Sequence, residues 1–211
     1  MELIAHRART TLWRPADGLA VICATLSGRP DRVELDAVEH RGRLVVAHDR
    51  REARLSGVAA LDDALELVAA SPCGLLLDLK GPDRGRPFGE ALAAADLGAR
   101  TIVCGDLDLV GQAAGACGAA RAWTLPGGRR SACQGIERAA TEALGSGRCD
   151  AVSVDHRRVT ARLVAAVHSA GGSVLAWTVN DAAQILHLRS LCIDGLITDD
   201  AVAARRVLGV A

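Results

Sequence analysis

Three acidic side chains stand near the ends of strand-like segments in this sequence. Glu34 and Asp36 lie two residues apart in the apolar run RVELDAV, and Asp78 precedes Lys80 by two residues in GLLLDLK. Because side chains alternate along a strand, each pair faces one side of its strand. Clustered carboxylates repel one another and are costly to bury without a compensating cation. Three oxygen ligands suit Mg²⁺ or Ca²⁺, so we predict that Glu34, Asp36 and Asp78 bind one divalent metal.

Two histidines also end strand-like segments, His6 in ELIAH and His48 in RLVVAH. We predict that they are the catalytic acid and base, each contributing about 10²–10⁴-fold to the rate, with the following Asp49 orienting His48. Arg7 and Lys80 are predicted to bind phosphate oxygens of a substrate, the arginine by its planar fork and the lysine as a point charge. In the alternative interpretation, Arg7 and Lys80 form structural ion pairs with the three carboxylates, and these carboxylates are not metal ligands.

The elements that would position these residues alternate along the chain. Short apolar runs without polar alternation are typical of parallel strands covered on both faces, and they occur at 2–6, 32–38, 74–80, 100–105, 120–125, 150–155, 172–179 and 193–198. Segments of helical period lie between them, at 57–71, 86–98, 135–147, 160–172 and 181–191.

This alternation predicts a compact α/β fold, a (β/α)₈ TIM barrel formed by residues 1–211 as a single domain without an inserted subdomain. A doubly wound open sheet is the alternative. In such barrels the active site lies at the carboxyl ends of the strands, which is where the acids and histidines fall. The extra run RLVVAH (43–48) predicts a small β-extension above the barrel mouth.

Composition excludes several classes of protein. The 25 basic and 25 acidic residues give a net charge of zero, which argues against nucleic acid as a partner, and the 50% hydrophobic content argues against disorder. Seven scattered cysteines without paired spacing favour a reducing compartment. The start of the chain lacks a basic-then-apolar leader, and no apolar stretch approaches about 18 residues, so we expect a cytoplasmic protein without a transmembrane segment. No pattern indicates an oligomeric state.

Six short motifs in order resemble the glycerophosphodiester phosphodiesterase family. They are IAHR (4–7), VELD (33–36), VVAHD (45–49), LLLDLK (75–80), AWTVND (176–181) and DGLITDD (194–200). The resemblance implies a phosphoric diester hydrolase of lipid metabolism that uses one divalent metal to convert a small-molecule or lysolipid glycerophosphodiester to an alcohol and glycerol phosphate. It implies that His6 and His48 shuttle protons while a substrate hydroxyl attacks phosphorus, and that Trp177 lines the substrate cleft.

The sequence departs from the family pattern at three places. HRA stands where the family usually has His-Arg-Gly, and RPADG stands where it has Pro-Glu-Asn-Thr, so Ala16 is the counterpart of a glutamate. The third metal ligand, a glutamate in most members, is Asp78 here. The family's small inserted domain is missing.

These departures leave other functions open. Asp78 followed by Lys80 also resembles the related sphingomyelinase D group, which implies a lysophospholipase D-like activity that releases a head group and forms a cyclic phosphate. A catalytically impaired member acting as a binding protein, through Ala8 and Ala16, is another alternative. An unrelated barrel enzyme with Lys80 as a Schiff-base amine is the third.

Overall fold

The computed structural model describes most of the chain. The described residues are 1–8, 18–55, 57–81, 84–126 and 133–209, without the side chains of 133 and 134. Ala16, the predicted counterpart of the family's glutamate, lies outside these residues.

Eight parallel strands close into a barrel, and a further strand extends it at one place. In the described residues the strands are β1 (Glu2–Ala5), β2 (Arg32–His40), β3 (Arg43–Val46), β4 (Gly74–Leu79), β5 (Thr101–Gly105), β6 (Ala120–Thr124), β7 (Ala151–Asp155), β8 (Ser173–Trp177) and β9 (Gly195–Thr198). Their order is β1-β9-β8-β7-β6-β5-β4-β2-β3, and pairing of β1 with β2 closes the cylinder. The predicted (β/α)₈ barrel is therefore confirmed, and the open-sheet alternative is wrong.

A helix follows each barrel strand, after β3 in the case of the second. The described helices are α1 (Leu19–Ser27), α2 (Leu61–Ala69), α3 (Arg86–Ala94), α4 (Leu107–Cys117), α5 (Cys133–Gly145), α6 (Ala161–Ser169), α7 (Ala182–Ser190) and α8 (Ala201–Leu208). The five segments of helical period correspond to α2, α3, α5, α6 and α7. Within the described ranges, no helix has the length and apolar character needed to cross a lipid bilayer.

The β2–β3 hairpin is the predicted extension. β3 pairs antiparallel with the end of β2, from Ala37↔Val46 to His40↔Arg43. The turn between the strands places Arg41 and Gly42 at φ +51° and +75°, which is the left-handed conformation that glycine adopts without strain. β3 therefore lies along the carboxyl-terminal half of β2, on the edge opposite β4 and above the place where β1 pairs with β2.

The register of β2 and β4 determines which side chains enter the barrel. Glu34 pairs with Leu76 and Asp36 with Asp78. Leu76 belongs to an apolar cluster formed by Ile4, Leu76, Cys104, Ala122, Ala151, Leu175 and Ile197. Since residues two apart share a face, Asp78 lies on the same side as Leu76 and one step nearer the carboxyl end. An apolar plug thus lies beneath a polar mouth, the usual layering of this fold.

Helices α3 and α4 approach closely enough to exclude side-chain atoms between them. A Cβ placed on Gly89 would lie 2.1 Å from the carbonyl oxygen of Ala113, whereas one placed on the exposed Gly111 of α4 would meet nothing within 4 Å. The glycine at position 89 is therefore required by packing, and the one at position 111 is not.

Candidate active site

The three predicted metal ligands converge at the barrel mouth. Each of Glu34, Asp36 and Asp78 offers a carboxylate oxygen within 4.8 Å of the other two. Glu34 and Asp36 are 3% and 1% exposed, and Asp78 is partly exposed at the end of β4. The strand register brings these acids together on two neighbouring strands, as their spacing in the sequence predicted.

Their proximity and burial disfavour three negative charges without a counterion. Burial, Asp36 and Asp78 together raise the pKa of Glu34 well above its ordinary value. Burial also raises the pKa of Asp78, with the Lys80 ammonium opposing this effect and the Asp36 carboxylate adding to it. Glu34 and Asp78 therefore hold protons more tightly than acids in water do, as expected of buried carboxylates that a bound cation would stabilise in the charged form.

Two cations of the chain already contact the cluster. Nζ of Lys80 lies 2.5 Å from Oδ2 of Asp78 and 3.1 Å from Oδ1 of Asp36, and Nε of Arg7 lies 3.2 Å from Oδ2 of Asp36. Burial alone would lower the pKa of Lys80, but Asp78 and Asp36 outweigh it and raise that pKa above its ordinary value. The predicted alternative of structural ion pairs is thus present in the structure.

These ion pairs leave room for a metal by charge and by hydrogen bonding. Arg7 is shared with Glu52, so four carboxylates face two cations, and the formal balance of −4 and +2 is −2. In the described part of the chain, the buried Oδ2 of Asp36 accepts no hydrogen bond of normal geometry, and Nε of Arg7, at 3.2 Å, contacts it only as an ion pair. A buried acceptor in this situation is unusual in a native protein. Both observations fit a single divalent cation, so the cluster can bind a metal.

His6 is held by residues that the sequence analysis did not identify. Nδ1 of His6 lies 2.8 Å from Oδ1 of Asp199, and the amide of Asn180 donates to Oδ2 of Asp199 at 2.7 Å. The carbonyl oxygen of Asn180 in turn accepts from Oγ1 of Thr198. This chain fixes the imidazole from behind, as a carboxylate does for catalytic histidines generally. Asn180 and Asp199 lie in AWTVND and DGLITDD, two of the motifs that carry the resemblance, and no other feature of the sequence indicates their role.

The turn that follows His6 contains one departure from the family pattern, the alanine at position 8 where the family usually has glycine. Arg7 and Ala8 both have φ near +50°, and Ala8 is fully buried. The left-handed region costs a residue with a Cβ roughly 1–2 kcal/mol, so glycine is the natural choice at such a position. Thr25 donates its hydroxyl hydrogen to the carbonyl oxygen of Ala8, which helps hold this turn.

His48 lies on the extension and is positioned by Glu52 rather than by Asp49. The backbone N–H of His48 donates to Oε2 of Glu52 at 2.6 Å, and Nη2 of Arg7 donates to both carboxylate oxygens of Glu52 at 2.7 Å. Asp49 instead accepts from the backbone N–H groups of Arg51 and Glu52. Asp49 therefore lies at the start of the short 3₁₀ helix Glu52–Arg54, and among the described residues its carboxylate accepts no hydrogen bond from the side chain of His48. Glu52 lies outside the six sequence motifs, so the sequence does not indicate its role.

A cavity of about 290 Å³ joins these groups. Its lining comprises His6, Glu34, Asp36, His48, Leu76, Asp78, Lys80, Cys104, Thr124, Ser153, Trp177, Thr178 and Ile197. Seven of the eight predicted site residues line it. Arg7 is the exception, since its guanidinium is turned to Glu52 and Asp36. The cavity combines a possible cation site, two imidazoles, one ammonium and one aromatic face, which is what the hydrolysis of an anionic ester requires.

The model of the glycerophosphoryl diester phosphodiesterase family matches residues 127–203 of this chain. The predicted resemblance is confirmed. The match contains Trp177, Asn180 and Asp199, while His48 and the acidic cluster lie outside it. Members of that family are phosphoric diester hydrolases, which is the enzyme class that the sequence predicts.

Solved structures of glycerophosphodiester phosphodiesterases share the fold over almost their whole length. A candidate family enzyme from Agrobacterium tumefaciens superposes with a TM-score of 0.82 at 20% identity, covering 98% of this chain and 96% of the other. One from Parabacteroides distasonis gives 0.79 at 14%, covering 99% and 96%. An Oleispira antarctica phosphodiesterase in complex with the product sn-glycerol-3-phosphate gives 0.72 at 18%, covering 99% and 97%. Comparison with curated protein sequences finds no match.

Proposed function

We propose that this chain hydrolyses a glycerophosphodiester to an alcohol and glycerol phosphate, with a bound divalent metal and with His6 and His48 as acid and base. The observation that carries the proposal is one cavity lined by both histidines and by three carboxylates within 4.8 Å of one another. The product complex of the Oleispira antarctica neighbour supports a small-molecule phosphodiester as the substrate.

His6 is the better candidate for the base. If its Nδ1 carries the proton and donates to Asp199, its Nε2 is left as an acceptor on the cavity side, and the carboxylate stabilises the imidazolium that forms. His6 then removes the proton from the substrate's neighbouring glycerol hydroxyl as that oxygen attacks phosphorus. His48, which is exposed at the rim, donates a proton to the departing alkoxide. Water can then open the resulting cyclic phosphate, with the proton transfers reversed.

The remaining residues bind and orient the diester. Glu34, Asp36 and Asp78 would hold a divalent cation, which would neutralise charge on the phosphoryl oxygens, and the donor set suits Mg²⁺ and Ca²⁺ alike. Lys80 adds a point charge at the same place, and Trp177 offers an apolar face to the glycerol or alcohol moiety. Contact between Arg7 and substrate stays a prediction, as do lysolipid substrates, a role in lipid metabolism and the cytoplasmic location.

Phosphorus NMR of the products tests this proposal. Glycerophosphocholine, lysophosphatidylcholine and lysophosphatidylglycerol are incubated with the protein in Mg²⁺, in Ca²⁺ and in chelator. In the presence of a cation we expect glycerol phosphate from glycerophosphocholine and acylglycerol phosphate from whichever lysolipid is a substrate. We expect no turnover in chelator, and loss of activity in His6→Ala and Glu34→Ala. The matched control is His187→Ala, which removes an exposed imidazole from α7 far from the cavity. Turnover that survives the chelator and both site variants would contradict the assignment.

The same spectra decide between the proposed function and the sphingomyelinase D-like alternative. A cyclic phosphate that accumulates without being opened would indicate the latter. The Schiff-base alternative is disfavoured by the ion pairs of Lys80, because Asp78 and Asp36 raise its pKa and keep the amine protonated. A protonated amine is not a nucleophile.

A further inference from the structure

A second cleft opens beside the central cavity, on the side of the β2–β3 hairpin. Its volume is about 380 Å³, and its lining comprises Glu39, His40, Arg41, Arg50, Arg54, Leu79, Lys80, Gly81, Arg84, Phe88 and Leu109. Lys80 lines both spaces, so the cleft adjoins the proposed phosphate site. We call it the arginine cleft.

The charge of the arginine cleft is strongly positive. Four arginines and one carboxylate, that of Glu39, line the cleft and give a formal balance of +3, while Lys80 is already paired with Asp36 and Asp78. Within the lining, Arg84 forms an ion pair with Glu39 at 2.9 Å, and among the described residues no carboxylate lies within ion-pair distance of Arg41 or Arg54. Because the whole chain has a net charge of zero, this excess is local.

The hairpin end of the cleft lies too far from the acidic cluster to contact the same phosphate group, whereas Lys80 at its other end contacts the cluster directly. Strand β2 continues for four residues from Asp36 to His40, a distance of about 13 Å at a rise of roughly 3.3 Å per residue. Arg41 follows His40 in the hairpin turn. Clustered guanidinium groups repel one another, and their planar donor pattern matches the oxygens of phosphate and carboxylate. The geometry therefore suits a second anion on the same substrate molecule.

We propose that the arginine cleft binds an anionic group on the alcohol portion of the diester, so that the substrates are glycerophosphodiesters whose alcohol bears its own phosphate monoester or carboxylate. This inference rests on the proposed function, because it names the substrate class of that site. Leu79, Phe88 and Leu109 give the cleft an apolar floor for the carbon skeleton between the two anions.

A matched pair of substrates tests the inference. Glycerophosphoinositol 4-phosphate and glycerophosphoinositol differ only in the second phosphate, so the ratio of their kcat/KM values measures its contribution. We expect the wild type to favour the phosphorylated diester about tenfold, and Arg54→Gln to reduce that ratio about fivefold, mainly through KM. The control Arg86→Gln removes the same charge from an exposed site on α3 outside the cleft, and it should leave the ratio unchanged.

Each outcome separates the inference from the proposed function. A ratio near one, or a ratio that Arg54→Gln and Arg86→Gln change equally, overturns the inference while the hydrolase stands. If neither diester is hydrolysed, the proposed function fails, and calorimetric titration with the two diesters still decides the inference through their relative affinities. If Arg54→Gln instead weakens only binding to phosphatidylglycerol vesicles, the cleft is a membrane contact and the inference is wrong.

Discussion

Replacing Glu34 by glutamine is expected to stabilise the metal-free protein and to abolish its stabilisation by a divalent cation. Glu34 is 3% exposed, and burial with Asp36 and Asp78 nearby raises its pKa well above the value of 4.5 that a glutamate has in water. Glutamine has the same shape and can still accept the hydrogen bond that the Arg7 N–H donates at 2.6 Å. The substitution therefore removes a charge while it keeps the packing.

The direction of the effect follows from proton binding. A carboxyl whose pKa is higher in the folded than in the unfolded chain retains its proton when folded, while the unfolded chain releases it above about pH 4.5. The free energy of unfolding of the metal-free protein therefore falls as the pH rises above that value, until the raised pKa is passed. Asp78 contributes in the same direction. Glutamine does not titrate, so it removes the contribution of Glu34 to this loss of stability, and the metal-free variant is expected to be more stable than the wild type at neutral pH.

A bound divalent cation is expected to reverse the order of stability of the wild type and the Glu34→Gln variant. A ligand present at one hundred times its Kd stabilises the folded state by about 2.7 kcal/mol. For a chain of 211 residues, each kcal/mol shifts Tm by about 2–4 °C, so the wild type should melt about 5–10 °C higher with cation than in chelator. Loss of one of three carboxylate ligands should reduce this shift to below about 2 °C, because the remaining charge balance no longer matches a divalent ion.

Circular dichroism melts in Mg²⁺, in Ca²⁺ and in chelator, at pH 6 and pH 8, measure both effects. Glu66→Gln is the matched control, since it neutralises an exposed glutamate on α2 and should follow the wild type. A Glu34→Gln protein that gains as much from cation as the wild type would show that the ion binds elsewhere. A metal-free variant that is less stable than the wild type would refute the account of charge repulsion.

Three further predictions concern the histidines, the residue behind His6, and helix packing. His6→Asn and His48→Asn should each lower kcat by about 10²–10⁴-fold while leaving the cation-dependent Tm shift intact, and steady-state kinetics showing full turnover in either variant would remove that residue from proton transfer. Asp199→Asn should lower kcat about 10- to 100-fold with little change in KM, from the loss of one charge-assisted hydrogen bond of about 1.5–3 kcal/mol, and an effect on KM alone would indicate a different role. Gly89→Ala should lower the free energy of unfolding in urea by about 2 kcal/mol or more because its Cβ meets the α4 backbone, whereas Gly111→Ala should raise it by about 0.5–1 kcal/mol, and equal changes would contradict the packing argument.

The sequence predicts the barrel and the acidic cluster because both depend on local patterns. Parallel strands covered on both faces are recognisable as short apolar runs, and polar residues two apart at their ends report which face is inward. Helices α1, α4 and α8 were not predicted as segments. The sequence of α1, LAVICATLS, is apolar on nearly all sides, so no helical period is visible in it.

The positioning residues could not be found in the same way. Asp199 contacts His6 across 193 residues of sequence, and Glu52 contacts Arg7 across 45. Neither pairing leaves a local signal, because only closure of the barrel brings β9 beside β1, and only the hairpin returns the chain to the mouth. Asp49 illustrates the opposite error: adjacency to His48 suggested that it orients the imidazole, but the backbone N–H groups of the following turn occupy its carboxylate.

The extra strand β3 affects which parts of the site can vary without disturbing the barrel. β3 pairs with β2 and forms one isolated bridge from Val45 to Ala60, and the eight-stranded cylinder is complete without it. Its hairpin can therefore change length or composition without interrupting a ladder on which the remainder depends. Arg41 lies in the turn of this hairpin and His48 follows β3, whereas the acidic cluster and His6 lie on or directly after strands of the cylinder itself. A change in the hairpin would therefore alter the rim of the site, including the proposed acid His48, and would leave the acidic cluster and the proposed base His6 in place.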